Sequence, residues 1–261
     1  MQAYLAEFIG TAMLVLLGDG VCCNVSLNKS GMKGGGTVHI LIGWGMAVMV
    51  PAFSFGAMSG AHFNPAVTIG AAMRGGMSWG QVPGYIVAQM LGGFVGAAIL
   101  IILYGDHIKE TADDAVIRGC FATGPSIRNT GLNFLSEFVA TFVLVFTLAS
   151  IPNVGLNFLS EFVATFVLVF TLAAIPGDAG ASGVSWILVY GVIVACGASF
   201  GGLTGYAMNA ARDSAPRFAY QLLGPNKGNK DPNWGYGWIP LIAPICGGVV
   251  ASFVYMAIFN M

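Results

Sequence analysis

The chain has 261 residues, of which 56% are hydrophobic and only 8% are charged, with a mean hydropathy of +0.79 and a formal net charge of −1. Soluble domains carry about 25% charged residues, so this composition excludes an ordinary soluble protein and indicates a membrane protein. The small net charge gives no reason to expect a nucleic-acid partner.

Apolar runs long enough to cross a bilayer follow one another along the chain. The predicted spans are residues 3–25, 37–58, 82–104, 132–150, 156–174, 183–202 and 237–259. Between them lie a loop at 26–36, a charged segment at 105–130 and a Gly/Pro/Asn-rich stretch at 224–236. No basic segment or small-residue cleavage site precedes the first run, so we expect a retained span rather than a signal peptide.

A thirteen-residue block occurs twice, as SFGAMSGAHFNPA at 54–66 and SFGGLTGYAMNAA at 199–211. Each block ends in Asn, a preferred helix N-cap, followed by Pro or Ala at the first helical position. The helices predicted at about 64–74 and 209–219 are too short to span a bilayer. Irregular backbone at membrane depth must face protein or water, so we expect both half-helices to line a pore, as in inverted-repeat channels and transporters.

A second repeat explains why there is one span too many for two equal halves. Residues 131–149 recur without change at 155–173, and their sequence SEFVATFVLV aligns with AEFIGTAMLV at 6–15. We call 131–150 the first copy and 156–174 the second copy. Both are counterparts of the first span.

The spacing between a glutamate and the half-helix favours the second copy as the fourth span. Glu7 precedes Asn64 by 57 residues, whereas Glu161 precedes Asn209 by 48 and Glu137 does so by 72. We therefore treat the first copy as the extra helix, and we predict that the additional 24 residues add no net crossing. The chain then reads as one channel domain with a first half-repeat at about 1–104, a connecting segment with the extra copy at 105–154, and a second half-repeat at 155–261.

The segments SGAHFNPAVT and TGYAMNAARDSAP resemble the major intrinsic proteins (aquaporins), and within them the bacterial glycerol facilitators or aquaglyceroporins. The resemblance covers nearly the whole chain apart from the extra copy. It implies an all-α, inverted-repeat bundle of six transmembrane helices and two half-helices that meet at mid-membrane. It also implies a multi-pass plasma-membrane protein with cytoplasmic termini, in contact with lipid, and a homotetramer with one pore per subunit. Basic residues cluster after the odd-numbered spans, which by the positive-inside rule favours the opposite orientation; we follow the family, because its architecture is tied to the motifs.

The pair Asn64 and Asn209 is the strongest site prediction. Each side-chain oxygen is expected to cap its helix, which leaves the NH₂ group to donate into the pore, while two helix N-termini place positive dipole ends there. The predicted central constriction comprises Asn64, Pro65, Ala66, Asn209, Ala210 and Ala211. Ala210 stands where the family has Pro, so the fixed φ is lost and the position of Asn209, with tight proton exclusion, is in question.

The resemblance also implies a selectivity filter and a set of supporting residues. The filter residues are Trp44, Gly197, Tyr206 and Arg212. Positions typical of glycerol-conducting members are Asp213, Arg217, Pro240 and Leu241. Structural supports are Glu7, Glu161 and His62, of which the glutamates should bond the backbone of the half-helix loops. Gly197 replaces the histidine of water-selective members and should leave room for a carbon backbone, while Trp44 and Tyr206 offer an apolar wall beside the Arg212 donors.

These residues predict a passive channel for glycerol, water and other small neutral solutes that excludes ions and protons. We expect no enzyme activity, catalytic residue, cofactor or metal: the three histidines are scattered and the five cysteines lack metal-ligand spacing, which indicates buried free thiols. Two alternatives stay open. The first is a nonconducting or impaired channel, in which the duplication or Ala210 has disrupted the pore. The second, less favoured, is an alternating-access carrier, since such carriers also have inverted repeats, with Glu7 and Glu161 as the candidate coupling residues.

Overall fold

A computed structural model describes residues 1–150, 187, 189–194, 196–197, 204–224 and 231–259, and every regular element in these ranges is helical. The helices are α1 (Gln2–Ser26), α2 (Gly36–Ser59), α3 (Pro65–Met73), α4 (Val82–Leu103), α5 (Gly105–Glu110), α6 (Asp114–Phe121), α7 (Thr130–Ser150), α8 (Ala210–Leu223) and α9 (Trp234–Phe259). Of these, α1, α2, α4, α7 and α9 are long and apolar enough to cross a membrane, in agreement with five predicted spans. The second copy lies outside the described residues, as does much of the predicted span 183–202.

The helices pack as two similar halves. α1 packs along α4 and α7 packs along α9, while the half-helix α3 contacts α9 and the half-helix α8 contacts α4. Glycines allow the close approaches, because a Cβ at Gly92 of α4 would collide with the carbonyl oxygen of Phe8, and one at Gly247 of α9 with that of Phe138. Each half-helix is therefore held by the last span of the opposite half, and small residues bring the backbones together as bilayer packing requires.

The first copy, as α7, occupies the position that mirrors α1, which corrects our assignment from spacing. Its Glu137 carboxylate reaches the loop before α8, as the Glu7 carboxylate reaches the loop before α3. Because the two copies are identical, neither propensity nor hydrophobicity distinguishes them. Only contacts made by their flanking residues can decide which copy occupies this position.

The segment before α7 supplies those contacts. The Thr123 N–H donates to Asp213 Oδ2 at 2.8 Å, the Arg128 guanidinium donates to the Asn233 side chain at 3.4 Å, and Arg118 bonds the backbone carbonyl of Asp231 at 3.0 Å. These bonds tie residues 118–128 to α8 and to the start of α9. The first copy follows this segment immediately, so it can pack along α9 without an intervening loop.

Two short helices, α5 and α6, lie in the charged segment 105–130, for which the sequence predicted no span. Asp113 caps α6, since its side chain accepts from the Ala115 N–H at 2.8 Å. The ring of Phe121 is buried and stacks on Tyr220 of α8, with ring centroids 6.2 Å apart. The segment therefore covers one end of the bundle.

Candidate pore and selectivity filter

The two loops that precede the half-helices share an uncommon backbone. Ala61 and Phe63 have φ values of 51° and 45°, and Tyr206 and Met208, each 145 residues later, have φ values of 40° and 48°. Left-handed conformations of residues other than glycine cost about 1–3 kcal/mol each and persist only where the surroundings enforce them. A matched pair in each loop indicates a backbone shape that both halves maintain for function.

Two buried glutamates hold these loops. Glu7 accepts from the N–H groups of His62 and Phe63 at 3.0 and 2.7 Å, and Glu137 accepts from those of Ala207 and Met208 at 3.1 and 3.0 Å. Glu7 also accepts from the side chains of Ser59 and Gln89. Because these bonds occupy the loop N–H groups, the carboxylates fix the strained backbone. Glu7 has the predicted supporting contacts; in the second half Glu137 makes them, whereas Glu161 lies outside the described residues.

Asn64 and Asn209 begin their half-helices and meet across the centre of the bundle. As predicted, Asn64 caps α3 by accepting from the Ala66 N–H at 2.9 Å, and Asn209 caps α8 by accepting from Ala211 and Arg212. Each NH₂ group also donates to the opposite loop: Asn64 to the Met208 carbonyl at 2.9 Å and Asn209 to the Phe63 carbonyl at 2.7 Å. An amide NH₂ has two N–H bonds, and among the residues that the structure describes only one on each side chain has a partner, which leaves the other for a solute in the pore.

Ala210 does not displace Asn209. The backbone of Asn64 has φ −155° and ψ 122°, and that of Asn209 has φ −157° and ψ 113°. The two N-caps thus have the same conformation although Pro65 follows one and Ala210 follows the other. The capping bonds and the contact with Phe63 hold the second asparagine without proline.

The predicted filter residues Trp44, Tyr206 and Arg212 lie together in one wall of the cavity described below. The Arg212 Cζ atom is 4.0 Å from the centroid of the Trp44 ring, and all three side chains are largely buried. Among the described residues, the structure gives the Arg212 guanidinium no hydrogen bond or ion pair. Within the described part of the chain, nothing occupies its N–H groups, so they are available there to donate to a solute.

Gly197 packs closely against two side chains. A Cβ at this position would lie 2.9 Å from the Tyr206 ring and closer still to Leu41. Gly197 thus makes room for the Tyr206 ring, which itself lines the cavity; the space that it leaves for a carbon backbone stays a prediction.

Asp213 and Arg217 form a fully buried ion pair at 2.8 Å that lies outside the described cavity lining. Asp213 accepts from Thr123, and Arg217 donates to the carbonyls of Thr123 and Pro232. Pro240 is buried and Leu241 is exposed in α9, also away from the described lining. The ion pair ties two loops to α8, so its direct effect is on the frame of the pore.

One elongated cavity of about 470 Å³ connects these groups. Its described lining includes Trp44, Tyr206 and Arg212, the two asparagines, and Arg74 at the far end of α3. A nine-residue helix is about 14 Å long, so the cavity follows the whole of α3. His62 also lines it, and the His62 ring lies 3.2 Å from the Thr68 hydroxyl through Nδ1, which fits the supporting role predicted for it.

The described lining is mostly apolar, with two arginines and no carboxylate. Such a surface suits a neutral solute with both CH and OH groups and is unfavourable for a cation. Within the described part of the chain, no cluster of His, Cys, Asp or Glu could hold a metal ion, and all five cysteines are free.

Sequence reasoning missed two ionisable residues, one in the cavity lining and one in the first span. Arg74 entered only as a charge for orientation, yet it lines the cavity and donates to the Ser252 hydroxyl at 3.0 Å. Asp19 was not noticed, although it is an acid inside the first apolar run. An ionisable residue in a span is a signal of function, and it would have found Asp19.

Comparison with known proteins gives a consistent result over the full length. The family model described as Major intrinsic protein matches residues 1–255. The chain is 42% identical to the probable glycerol uptake facilitator protein of Thermotoga maritima, across 99% of this chain and 100% of that protein. It is 41% identical to the glycerol uptake facilitator protein of Bacillus subtilis, across 100% of this chain and 86% of that protein. The X-ray structure of the aquaglyceroporin from Plasmodium falciparum is similar with a TM-score of 0.78 and 28% identity, across 99% of this chain and 96% of that one.

Proposed function

The chain belongs to the major intrinsic protein family, and on that premise we propose that it is a passive channel for glycerol, water and other small neutral solutes that excludes ions and protons. The observation that carries the proposal is the group formed by Arg212, Trp44 and Tyr206 at one cavity that has no carboxylate in its described lining. The glycerol facilitators among the relatives agree with it.

A polyol has one polar and one apolar face, and the filter offers both. The Trp44 and Tyr206 rings contact the CH groups, while the N–H groups of Arg212 donate to hydroxyl oxygens. The guanidinium has no hydrogen-bond partner among the described residues. A solute hydroxyl that binds to it therefore displaces water and not a protein group. A cation meets a positive charge at the same point and cannot replace its hydration shell there.

The centre of the pore opposes ions and protons by a second means. Asn64 and Asn209 each present one remaining N–H, so a solute oxygen that accepts from them is oriented by the protein. The N-termini of α3 and α8 meet at this point, and each carries about half a positive charge. The two helix N-termini repel cations. The asparagine N–H groups interrupt hydrogen-bond donation from one water to the next along the pore.

Contacts across the bundle support the proposed topology. Asn64 reaches the second loop and Asn209 reaches the first, which is the arrangement of two half-helices that approach head to head from opposite faces. We extend the proposal to a plasma-membrane homotetramer with cytoplasmic termini. Exposed apolar side chains on the spans, such as Ile42, Phe53 and Ile102, supply a surface for lipid or for neighbouring subunits.

Stopped-flow light scattering with proteoliposomes tests this proposal. Vesicles that contain the protein should equilibrate with an imposed glycerol gradient faster than empty vesicles, with weak temperature dependence and no saturation. Equal rates would overturn the proposal and favour the impaired channel. Saturation with steep temperature dependence would favour the alternating-access carrier.

A further inference from the structure

Arg74 brings a second permanent charge to the cavity, at the end opposite the filter. It belongs to the described lining together with Arg212, and a guanidinium remains protonated in proteins. Arg212 lies in the first turn of α8, whereas Arg74 follows the last residue of α3. Because the two half-helices run away from their meeting point in opposite directions, a solute that crosses the cavity passes one arginine on each side of the asparagines.

The contacts of Arg74 hold its side chain back along α3. Its Nη1 atom donates to the Ser252 hydroxyl of α9 at 3.0 Å. Ser252 is fully buried, and its hydroxyl donates in turn to the Gly248 carbonyl at 3.0 Å. A hydroxyl has a single proton, so this second bond leaves the lone pairs of the oxygen to accept from the arginine. Ser252 is therefore an oriented acceptor for the Arg74 guanidinium.

Gly70 provides the space for this arrangement. It lies one turn before Arg74, and a Cβ there would come within 2.6 Å of the Ser252 oxygen and 3.2 Å of Arg74 Nη1. At an offset of 145, Gly70 and Arg74 correspond to Ala215 and Ala219, so the second half-helix has neither this space nor this charge. An arginine that only ended a helix would require no buried acceptor and no gap in the helix surface.

The surroundings of Arg74 are unfavourable for a cation. Val67 and Ala71 also line the cavity, and their spacing of seven and three residues before Arg74 places them on the same face of α3. Apolar walls cannot replace the hydration shell of an ion, and a fixed positive charge acts more strongly where the local dielectric constant is low. A neutral polyol carries no net charge and is not opposed in this way.

We propose that Arg74 is a second specificity-determining residue: its guanidinium, anchored by Ser252 in the space left by Gly70, opposes cations at the end of the cavity remote from the filter. The inference rests on the proposed function, because it assumes that solutes pass through this cavity. It makes each half of the repeat supply one arginine, from positions that do not correspond.

The test is the potassium permeability of proteoliposomes in a double-mutant cycle. Arg212→Met removes the charge of the filter, and Arg74→Met removes the charge at the opposite end. We expect the double variant to pass K⁺ about tenfold faster than Arg212→Met alone, because both charges oppose the same ion. Arg74→Lys in the Arg212→Met background keeps the charge and should stay within about twofold of Arg212→Met. Equal K⁺ permeability of the double variant and Arg212→Met would overturn the inference.

A charge-specific measurement separates the charge of Arg74 from the shape of its side chain. Arg74→Cys, in the Arg212→Met background without the native thiols, is modified with a cationic or an anionic methanethiosulfonate reagent of similar size. The cationic reagent should lower K⁺ permeability and the anionic one should not. Equal effects of the two reagents would show obstruction alone and would overturn the inference.

A further variant keeps the native filter, in case Arg212→Met does not fold. Arg74→Glu inverts the charge, so Ba²⁺ should enter this end of the cavity and reduce glycerol flux; flux that is insensitive to Ba²⁺ would overturn the inference. The protein with its native sequence is the reference for the proposed function. If it passes no glycerol, the proposed function fails; if it passes glycerol while the Arg74 variants respond to ions as it does, only the role of Arg74 fails.

Discussion

The two loops that end at Asn64 and Asn209 have one backbone design but different chemistry. Both contain two left-handed residues, both are held by a buried glutamate, and both donate across to the other loop. At an offset of 145, however, Ala61 corresponds to Tyr206 and Val67 corresponds to Arg212. The first loop thus has neither the aromatic ring nor the cation that the second contributes to the filter.

The difference between the two loops separates two requirements of the channel, the shape of the pore and the selection of solutes. The shape of the pore depends on features present in both halves, so a change to them in either half should affect folding and all fluxes alike. Selection depends on features present in one half, so a change to them should alter one flux relative to another. Mutations of shared features and of features found in only one half test this division directly.

The largest effect is expected for the glutamates. Glu137→Gln should abolish flux or the folded state, because it disrupts the acceptor for two buried N–H groups, each of which costs about 1–3 kcal/mol when left unpaired. Glu161→Gln, in an identical sequence context, is the matched control and should retain flux and thermal stability. Thermal unfolding in detergent and glycerol flux measure both.

The opposite result for this pair would show that the second copy occupies the position of α7. Glu7→Gln provides the comparison between halves. Since Glu7 accepts four hydrogen bonds from protein groups, its loss should be at least as severe as that of Glu137.

A topological prediction concerns whether the second copy preserves the inverted relation of the halves. Single cysteines placed at Ser126 and Asp178, in a background without the native thiols, should label from opposite sides of the membrane. The result is all or none, because one additional net crossing would bring the two cysteines to the same side of the membrane. The half-helix α8 would then approach from the same face as α3, in conflict with the reciprocal asparagine contacts.

An intermediate effect is expected at Gly197. Gly197→His should displace the Tyr206 ring, because even a Cβ would lie 2.9 Å from it. We expect glycerol permeability to fall by about tenfold, which corresponds to roughly 1.4 kcal/mol, and water permeability to fall less. Parallel loss of both fluxes would indicate damage to the scaffold instead of the filter.

The smallest effect is expected when the two half-helix starts are made alike. Ala210→Pro should leave both fluxes within about twofold and stabilise the fold by about 0.4–1 kcal/mol, because proline restricts the unfolded chain at a position that suits it. Chemical denaturation in mixed micelles measures the gain. A marked drop in flux or stability would mean that the start of α8 differs from that of α3 despite the matching N-cap angles.

Much of this architecture was predictable because it depends on local chemistry. Five spans, both half-helices and both asparagine caps followed from apolar length and N-cap preference, and the family and the all-α fold are confirmed. The choice between the two copies was not predictable, because identical residues have identical propensities and only contacts such as Thr123 with Asp213 distinguish them. The contact between Gly197 and the Tyr206 ring was not predictable either, because spacing along the chain does not show which side chain packs against a given glycine.

The packing of each half-helix on the last span of the other half has a consequence for synthesis. α3 emerges early from the ribosome, but the α9 surface on which it rests, including Gly248 against Ala66, is made last. The packing surface that supports α3 is therefore incomplete until the whole chain has been translated. A nascent chain arrested before residue 234 should be cleared by membrane proteases, and pulse-chase turnover compared with the full chain would show whether it is.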